Sequence, residues 1–246
     1  LQGACGPGTI WDPETSQCVI EEPCGWNPDS DDDSLVGVSD LLMFLSVFGS
    51  EWPVFNCGDP VLYQGYEYET VQIGEQCWFA ENLRAENYLN GDAIPAGLSD
   101  SEWTPTNTGA MAVYDENTAN LEFYGCLYNW YAVDDARGLC PVGWHVPSDS
   151  EWTSLSDFLG GIAVAGYKMK ATVGWEPGGE GSNSSGFSGL PGGRREPSYI
   201  NEGGSGFWWS DLSGASRNCD GNDILNVEMQ TNLSTGHSIR CIKDTE

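Results

Sequence analysis

Nine cysteines in 246 residues constrain this chain more than any other feature. None belongs to a Cys-x-x-Cys pair, and the two histidines, His145 and His237, lie far apart, so the pattern is not that of a zinc site. Thiols at this density read as disulfides, which persist in an oxidising compartment. The chain is therefore expected to be secreted or displayed on a cell surface. Its first residues, Leu1-Gln2-Gly3-Ala4-Cys5, read as mature protein from which a leader has been removed. An odd count leaves at least one thiol free or paired between chains if all the others bridge.

Charge narrows the choice of partner. With 37 acidic and 9 basic side chains, the formal charge of −28 argues against nucleic acid, polyphosphate and anionic membranes. The longest apolar run, interrupted between Leu35 and Phe48, is too short to span a bilayer. An aromatic content of 12% excludes a disordered acidic tail and points to a folded, loop-rich protein. No Lys or Arg precedes Arg84, which sets the N-terminal part apart.

That part divides by its cysteines. Residues 1–22 are turn-rich, with too few apolar positions for a core, and a Cys5–Cys18 bridge would close them into a small knot. Closure of such a loop contributes roughly 3 kcal/mol. Trp11 is a structural residue here, with sugar stacking the less favoured role. Residues 23–57 run from near Cys24 to Cys57 and hold the sharpest motif in the chain, Asp29-Ser30-Asp31-Asp32-Asp33-Ser34-Leu35-Val36-Gly37-Val38-Ser39-Asp40. The side chains of Asp29, Asp31, Asp33 and Asp40 and the carbonyl of Leu35 have the spacing of oxygen ligands around Ca2+. Leu41, Leu42, Phe44, Leu45 and Phe48 follow at helical spacing, and Gly49 stands where a helix stops. This unit resembles a single dockerin-like, EF-hand-type calcium repeat. Ser34 replaces the usual glycine, and no second repeat is present, so calcium binding transfers and cohesin binding does not.

Residues 58–67 read as a linker, and 68–246 as the main domain. Thr70-Val71-Gln72-Ile73-Gly74 alternates like a strand ending in a turn. Residues 151–159 have helical spacing, with Trp152, Leu155 and Leu159 on one face and Ser148 or Asp149 as cap. Residues 174–214 are too rich in glycine for regular elements, and 237–242 read as a closing strand. The fold class is α+β.

Six segments of this domain carry a resemblance. They are residues 71–83 (ending Trp78-Phe79-Ala80-Glu81-Asn82-Leu83), Tyr124-Gly125-Cys126-Leu127-Tyr128-Asn129-Trp130, Cys140-Pro141-Val142-Gly143-Trp144-His145-Val146-Pro147-Ser148-Asp149, residues 186–194, Gly206-Phe207-Trp208-Trp209-Ser210, and Ser238-Ile239-Arg240-Cys241-Ile242-Lys243-Asp244. Together they resemble the Fibrobacter succinogenes major paralogous domain, found in secreted proteins of Fibrobacter and Bacteroidetes. The resemblance implies a C-type-lectin-like fold, loop-rich and disulfide-stapled, akin to formylglycine-generating (sulfatase-modifying) domains. It implies no assigned activity.

The expected bridges are Cys5–Cys18 and Cys24–Cys57, from the segment boundaries, and Cys140–Cys241, which a lectin-like fold allows. Cys77–Cys126 completes the set and leaves Cys219 over. The copper-binding cysteine pair of formylglycine-generating enzymes has only loose counterparts in Cys126 and Cys219, and neither histidine sits in a nucleophile motif, so no enzyme is expected. His145, between Trp144 and Val146, reads as a satisfied core histidine. The sugar-binding tripeptides of calcium-dependent lectins are missing; Glu196-Pro197-Ser198 is a partial echo. Asp220-Gly221-Asn222-Asp223 is a plain turn before it is a second calcium site. Trp208 and Trp209 are core residues or an exposed sugar-stacking pair, with Asp211 and Arg194 as further candidate contacts. The expectation is a calcium-stabilised binding or adhesion module for neutral glycan or a surface protein. The alternative is a self-associating subunit of an extracellular filament or surface layer.

Overall fold

In a computed structural model, the described residues are 9–12, 17–20, 55–230 and 232–245. The chain divides into two compact units, 1–55 and 56–246. In the first, β1 (Thr9–Asp12) and β2 (Gln17–Ile20) form an antiparallel hairpin. The expected calcium loop at Asp29–Asp40, and Cys5 and Cys24, lie outside the described residues; Cys18 falls in β2, where only the backbone is described.

The second unit is α+β, with strands dominating. Its N-terminal strands are β3 (Val61–Tyr63), β4 (Tyr66–Tyr68), β5 (Thr70–Ile73) and β6 (Gln76–Phe79). A middle region holds α1 (Asp100–Trp103), β7 (Met111–Ala112), α2 (Thr118–Tyr124), β8 (Leu127–Tyr128), α3 (Trp130–Val133) and β9 (Trp144–His145). Then come α4 (Asp149–Phe158) and α5 (Ile162–Met169), followed by β10 (Gly192–Glu196), β11 (Ser198–Glu202), β12 (Gly206–Trp209), β13 (Ala215–Cys219), β14 (Asn226–Met229) and β15 (Ile242–Lys243). One sheet has the order β11-β10-β12-β13-β14, another β5-β6-β15-β9. The second sheet brings the two ends of the unit together, with Ile242 opposite both Trp78 and His145.

Helix α4 forms where local rules place it. Ser148 caps it in a reciprocal box with Glu151, and Trp152 and Leu155 are buried on its inner face. The glycine-rich stretch is more regular than its composition suggests. Gly206 starts β12 because a Cβ there would stand 2.7 Å from the Trp208 ring. Gly193, at φ 63, lets β10 run close against β11.

Two large aromatic cores fill most of the unit, beside a smaller cluster around Trp103. One joins Tyr68, Phe79, Tyr128, Trp130 and Trp209; the other joins Trp78, Trp152, Phe187, Trp208 and Met169. Trp208 and Trp209 are both 0% exposed, so neither is a sugar-stacking platform. Strand alternation sends one ring to each core. Residues 58–67 are not a spacer: they lie inside this unit and supply most of the β3–β4 hairpin, whose Tyr63 hydroxyl donates to Leu139 O at 3.0 Å.

Among the described residues the bridges are Cys57–Cys77 and Cys140–Cys241. The second is the expected pair. The first replaces both Cys24–Cys57 and Cys77–Cys126, because the chain preceding β3 runs beside β6. Cys126 is free and buried, as is Cys219.

Candidate functional site

Among the described residues, an open cleft of about 390 Å³ lies between α3, the following loop, β9 and the β12–β13 turn. Its wall contains Trp130 and Trp144, its base the Cys140 bridge, and its rim Asp134, Asp135 and Asp211. Several bonds fix this shape. Asn129 caps α3, its Oδ1 accepting from Ala132 N and Ala110 N, each at 3.0 Å. Asp211 N donates to Pro147 O at 2.8 Å, tying the β12–β13 turn to the chain after β9. Leu89 N donates to Gly138 O at 2.9 Å and closes the opposite side. The disulfide holds β9 to the end of the chain.

The rim carboxylates differ in what they can do. Asp135 takes a bidentate grip from Arg137, at 2.8 and 2.7 Å, and the guanidinium lowers its pKa to about 2. Arg137 also reaches Asp92 and stacks over Tyr88 at 3.8 Å. Asp134 and Asp211 are exposed, and their carboxylates have no hydrogen-bond partner among the described residues. Asp134 and Asp135 also border a second recess of about 450 Å³, lined by Thr108, Tyr131 and Arg137. The result is a polar ridge between two hollows, one of them aromatic. Such a surface suits a ligand with both apolar CH faces and hydroxyl donors.

His145 sits at the cleft's edge and corrects the expectation of a core histidine. Its side chain is 39% exposed and is held between two carboxylates, Nδ1 at 2.6 Å from Asp244 and Nε2 at 3.0 Å from Glu151. Partial burial pulls its pKa down, but the two acids outweigh burial and raise it overall. The core histidine is His237, fully buried and packed on the rings of Phe207 and Trp209. Burial keeps it neutral, well below its ordinary pKa.

The remaining candidates resolve plainly. Arg194 is largely buried, stacks over Phe207 at 4.7 Å, and pairs with Glu196 and Glu228. It lies in the five-stranded sheet and does not line the cleft; only Asp211 of the predicted ligand contacts does. Cys126 and Cys219 belong to different cores, and burial pushes both thiols up to about 12. They do not fit a copper-binding pair, which needs two adjacent thiolates. The turn at 220–223 is held by a protein cation: Lys170 Nζ donates to Asp220 O at 3.0 Å and Asn222 O at 2.7 Å. No group of three or more His, Cys, Asp or Glu among the described residues is arranged to hold a metal ion. No helix among them is long and apolar enough to cross a membrane.

Sequence reading does not single out Trp144 or Asp134. The available signal is the Cys140–Cys241 pair, which holds the segment containing half-buried Trp144 beside β15. The Fibrobacter succinogenes major domain family model matches residues 71–243, which include this cleft and, except for Tyr68, the named residues of both aromatic cores. No curated protein matches the chain, and no solved structure does.

Proposed function

The chain belongs to the Fibrobacter succinogenes major domain family, and from that membership and the cleft beside Trp144 we propose that it is a secreted or cell-surface binding module for neutral glycan. The carrying observation is the meeting of an aromatic wall with two unpaired carboxylates, Asp134 and Asp211, on a base fixed by a disulfide. A pyranose presents a CH face that stacks on an indole and hydroxyls that donate to carboxylates. A net charge of −28 disfavours polyanionic sugars. Two disulfides among the described residues support an oxidising compartment. The C-type-lectin-like fold belongs to the same proposal, supported by the bridge from Cys140 to the closing strand and by that strand's pairing with β6. So does the Ca2+ loop at Asp29–Asp40, supported by its ligand spacing. A surface protein is the other ligand class this cleft suits.

The test is a neutral-glycan array followed by calorimetric titration of the strongest hit. Asp134→Ala and Asp211→Ala are exposed substitutions and are expected to weaken binding at least about tenfold each without lowering the melting temperature. Binding unaffected by both, or no glycan bound at all, would sink the reading.

A further inference from the structure

We propose that the recess beside Tyr131 is a second sugar subsite, so that the ligand is a run of at least two linked neutral sugars lying across the Asp134–Asp135 ridge, and not a single sugar. The proposal deepens the glycan reading of the cleft and rests on it.

Helix α3 and its cap separate the two hollows. Residues three apart on a helix share a face, so Trp130 and Val133 fall on one side and Tyr131 and Asp134 on the next. Trp130 and Val133 accordingly line the cleft of about 390 Å³, and Tyr131 lines the recess of about 450 Å³. Asp134 and Asp135 line both. They are consecutive, with Cα atoms about 3.8 Å apart, so the ridge is only one or two side chains wide. A sugar ring on each side of it leaves the linkage over the ridge.

The recess carries polar groups that the rest of the unit leaves unused. Gly109 is buried and lines its floor. Neither its N–H nor its C=O has a hydrogen-bond partner among the described residues. Buried backbone groups left unpaired are rare in a folded chain. Residue 109 has no room for a side chain of its own, since a Cβ there would stand 1.9 Å from the Tyr88 hydroxyl oxygen. The backbone of the floor is therefore left bare by design of the packing beneath it. Around it, the amide of exposed Asn107 and the hydroxyl of half-buried Tyr131 also lack a partner among the described residues.

These groups select the chemistry of the occupant. A sugar hydroxyl both donates and accepts, so it can pair with the Gly109 N–H or C=O, with the Asn107 amide and with the Tyr131 hydroxyl. An anionic group finds no free cation here, because Arg137 is already spent on Asp135 and Asp92. It would also face the unpaired Asp134. The Tyr131 ring offers the sugar a face of its own, as Trp144 does in the cleft. Two subsites joined through one ligand act together. Once the first sugar sits in the cleft, the second binds at the high effective concentration that the linkage sets. Affinity should therefore rise steeply from one unit to two.

The test is an amide-shift titration of the full chain with glucose, mannose, galactose and xylose, each as the monosaccharide and as its β-1,4-linked dimer and tetramer. In a series that binds, the dimer is expected to bind at least about tenfold more tightly than the monosaccharide, with shifts at 107–109 joining those at 144–146. Asn107→Ala and Tyr131→Ala are each expected to weaken dimer binding about fivefold or more, with the loss confined to the dimer and tetramer. Asp211→Ala is expected to weaken every length. Asn107 is exposed, so its variant is read alone should Tyr131→Ala fail to fold. A monosaccharide that binds as tightly as its dimer and tetramer overturns the proposal and leaves the glycan reading standing. A dimer whose affinity the folded variants retain does the same. No binding by any sugar at any length overturns both together.

Discussion

Asn82 Oδ1 accepts a hydrogen bond from Arg240 Nη2 at 2.8 Å, deep in the main unit. The same oxygen accepts from Trp208 Nε1 at 2.8 Å, and Asn82 Nδ2 donates to Tyr124 O and Ser238 Oγ. Arg240 also donates to the carbonyls of Phe79 and Phe187 and stacks on the Phe187 ring at 4.1 Å. Burial lowers its pKa to about 9, which leaves it charged at neutral pH. These residues come from five of the six segments that carry the family resemblance. The segments converge on a buried polar network, so the resemblance reports how the fold is held rather than what it binds.

Asn82→Ala is expected to destabilise the unit by about 3 kcal/mol, because it strands a buried guanidinium and an indole N–H without their shared acceptor. Urea unfolding of the variant measures this. A change within a few tenths of a kcal/mol would show that the network is dispensable.

What was legible in the sequence was local or stapled. Ser148 and Glu151 sit three apart at the start of α4, and the capping box follows directly. Thr70–Ile73 alternates and is a strand, and the Cys140–Cys241 pair joins the cleft base to the residue just before β15, which is shorter than the closing strand expected at 237–242. Burial across several elements was not legible. Trp208 and Trp209 follow a glycine-rich loop, which leaves a core and an exposed setting both open; β12 is the middle strand of its sheet and buried throughout. The setting of the two histidines was not legible for the same reason. His145 has apolar neighbours in sequence but points at Glu151 and Asp244, while His237 lies among polar residues in sequence but against Phe207 and Trp209 in space. Cys57 finds Cys77 through the hairpin that intervenes, and no spacing rule announces that.

Trp208→Ala and Trp209→Ala are each expected to cost about 4 kcal/mol, the range for emptying an indole from a core. Trp208 loses the Asn82 bond and Trp209 its donation to Tyr128 O at 2.7 Å. Near-ultraviolet dichroism and denaturant midpoints should both move. A variant that keeps full stability would mean that the site is exposed after all.

The Glu151–His145–Asp244 cluster should give stability a two-sided pH dependence. The folded pKa of His145 is raised, so its contribution is complete below the unfolded histidine value and is lost as pH rises through the raised one. Glu151 behaves oppositely. Its partial burial is outweighed by bonds from Ser148 and His145, which lower its pKa, so its contribution is present above the unfolded carboxylate value and lost as pH falls. Stability from the cluster therefore peaks between the carboxylate and histidine ranges. His145→Gln is expected to flatten the alkaline side of a melting-temperature profile. A variant with the wild-type profile would remove the cluster as its cause.

Cys126 and Cys219 should be silent in the native protein. Burial pushes both thiols up to about 12, so the thiolate needed for alkylation is nearly absent at neutral pH, and both are shielded from the reagent. Mass-spectrometric mapping after iodoacetamide should find neither labelled when native and both labelled in denaturant. Fast native labelling of either would contradict its placement in the core.

The turn at 220–223 should ignore calcium. Lys170 is 1% exposed and already directs its ammonium at the carbonyls of Asp220 and Asn222, which a metal would need. The side-chain oxygens of Asp220 and Asn222 are engaged as well, accepting from Asn222 N and Ile224 N. A second cation here would be repelled by the first, and Lys170 cannot swing out because it also packs against Trp175. Lys170→Met keeps the length and removes the charge, leaving two carbonyls unpaired, and is expected to cost about 2 kcal/mol. Amide shifts on calcium titration should be absent at 220–223 in the wild type; a saturable shift there would show that calcium displaces the lysine.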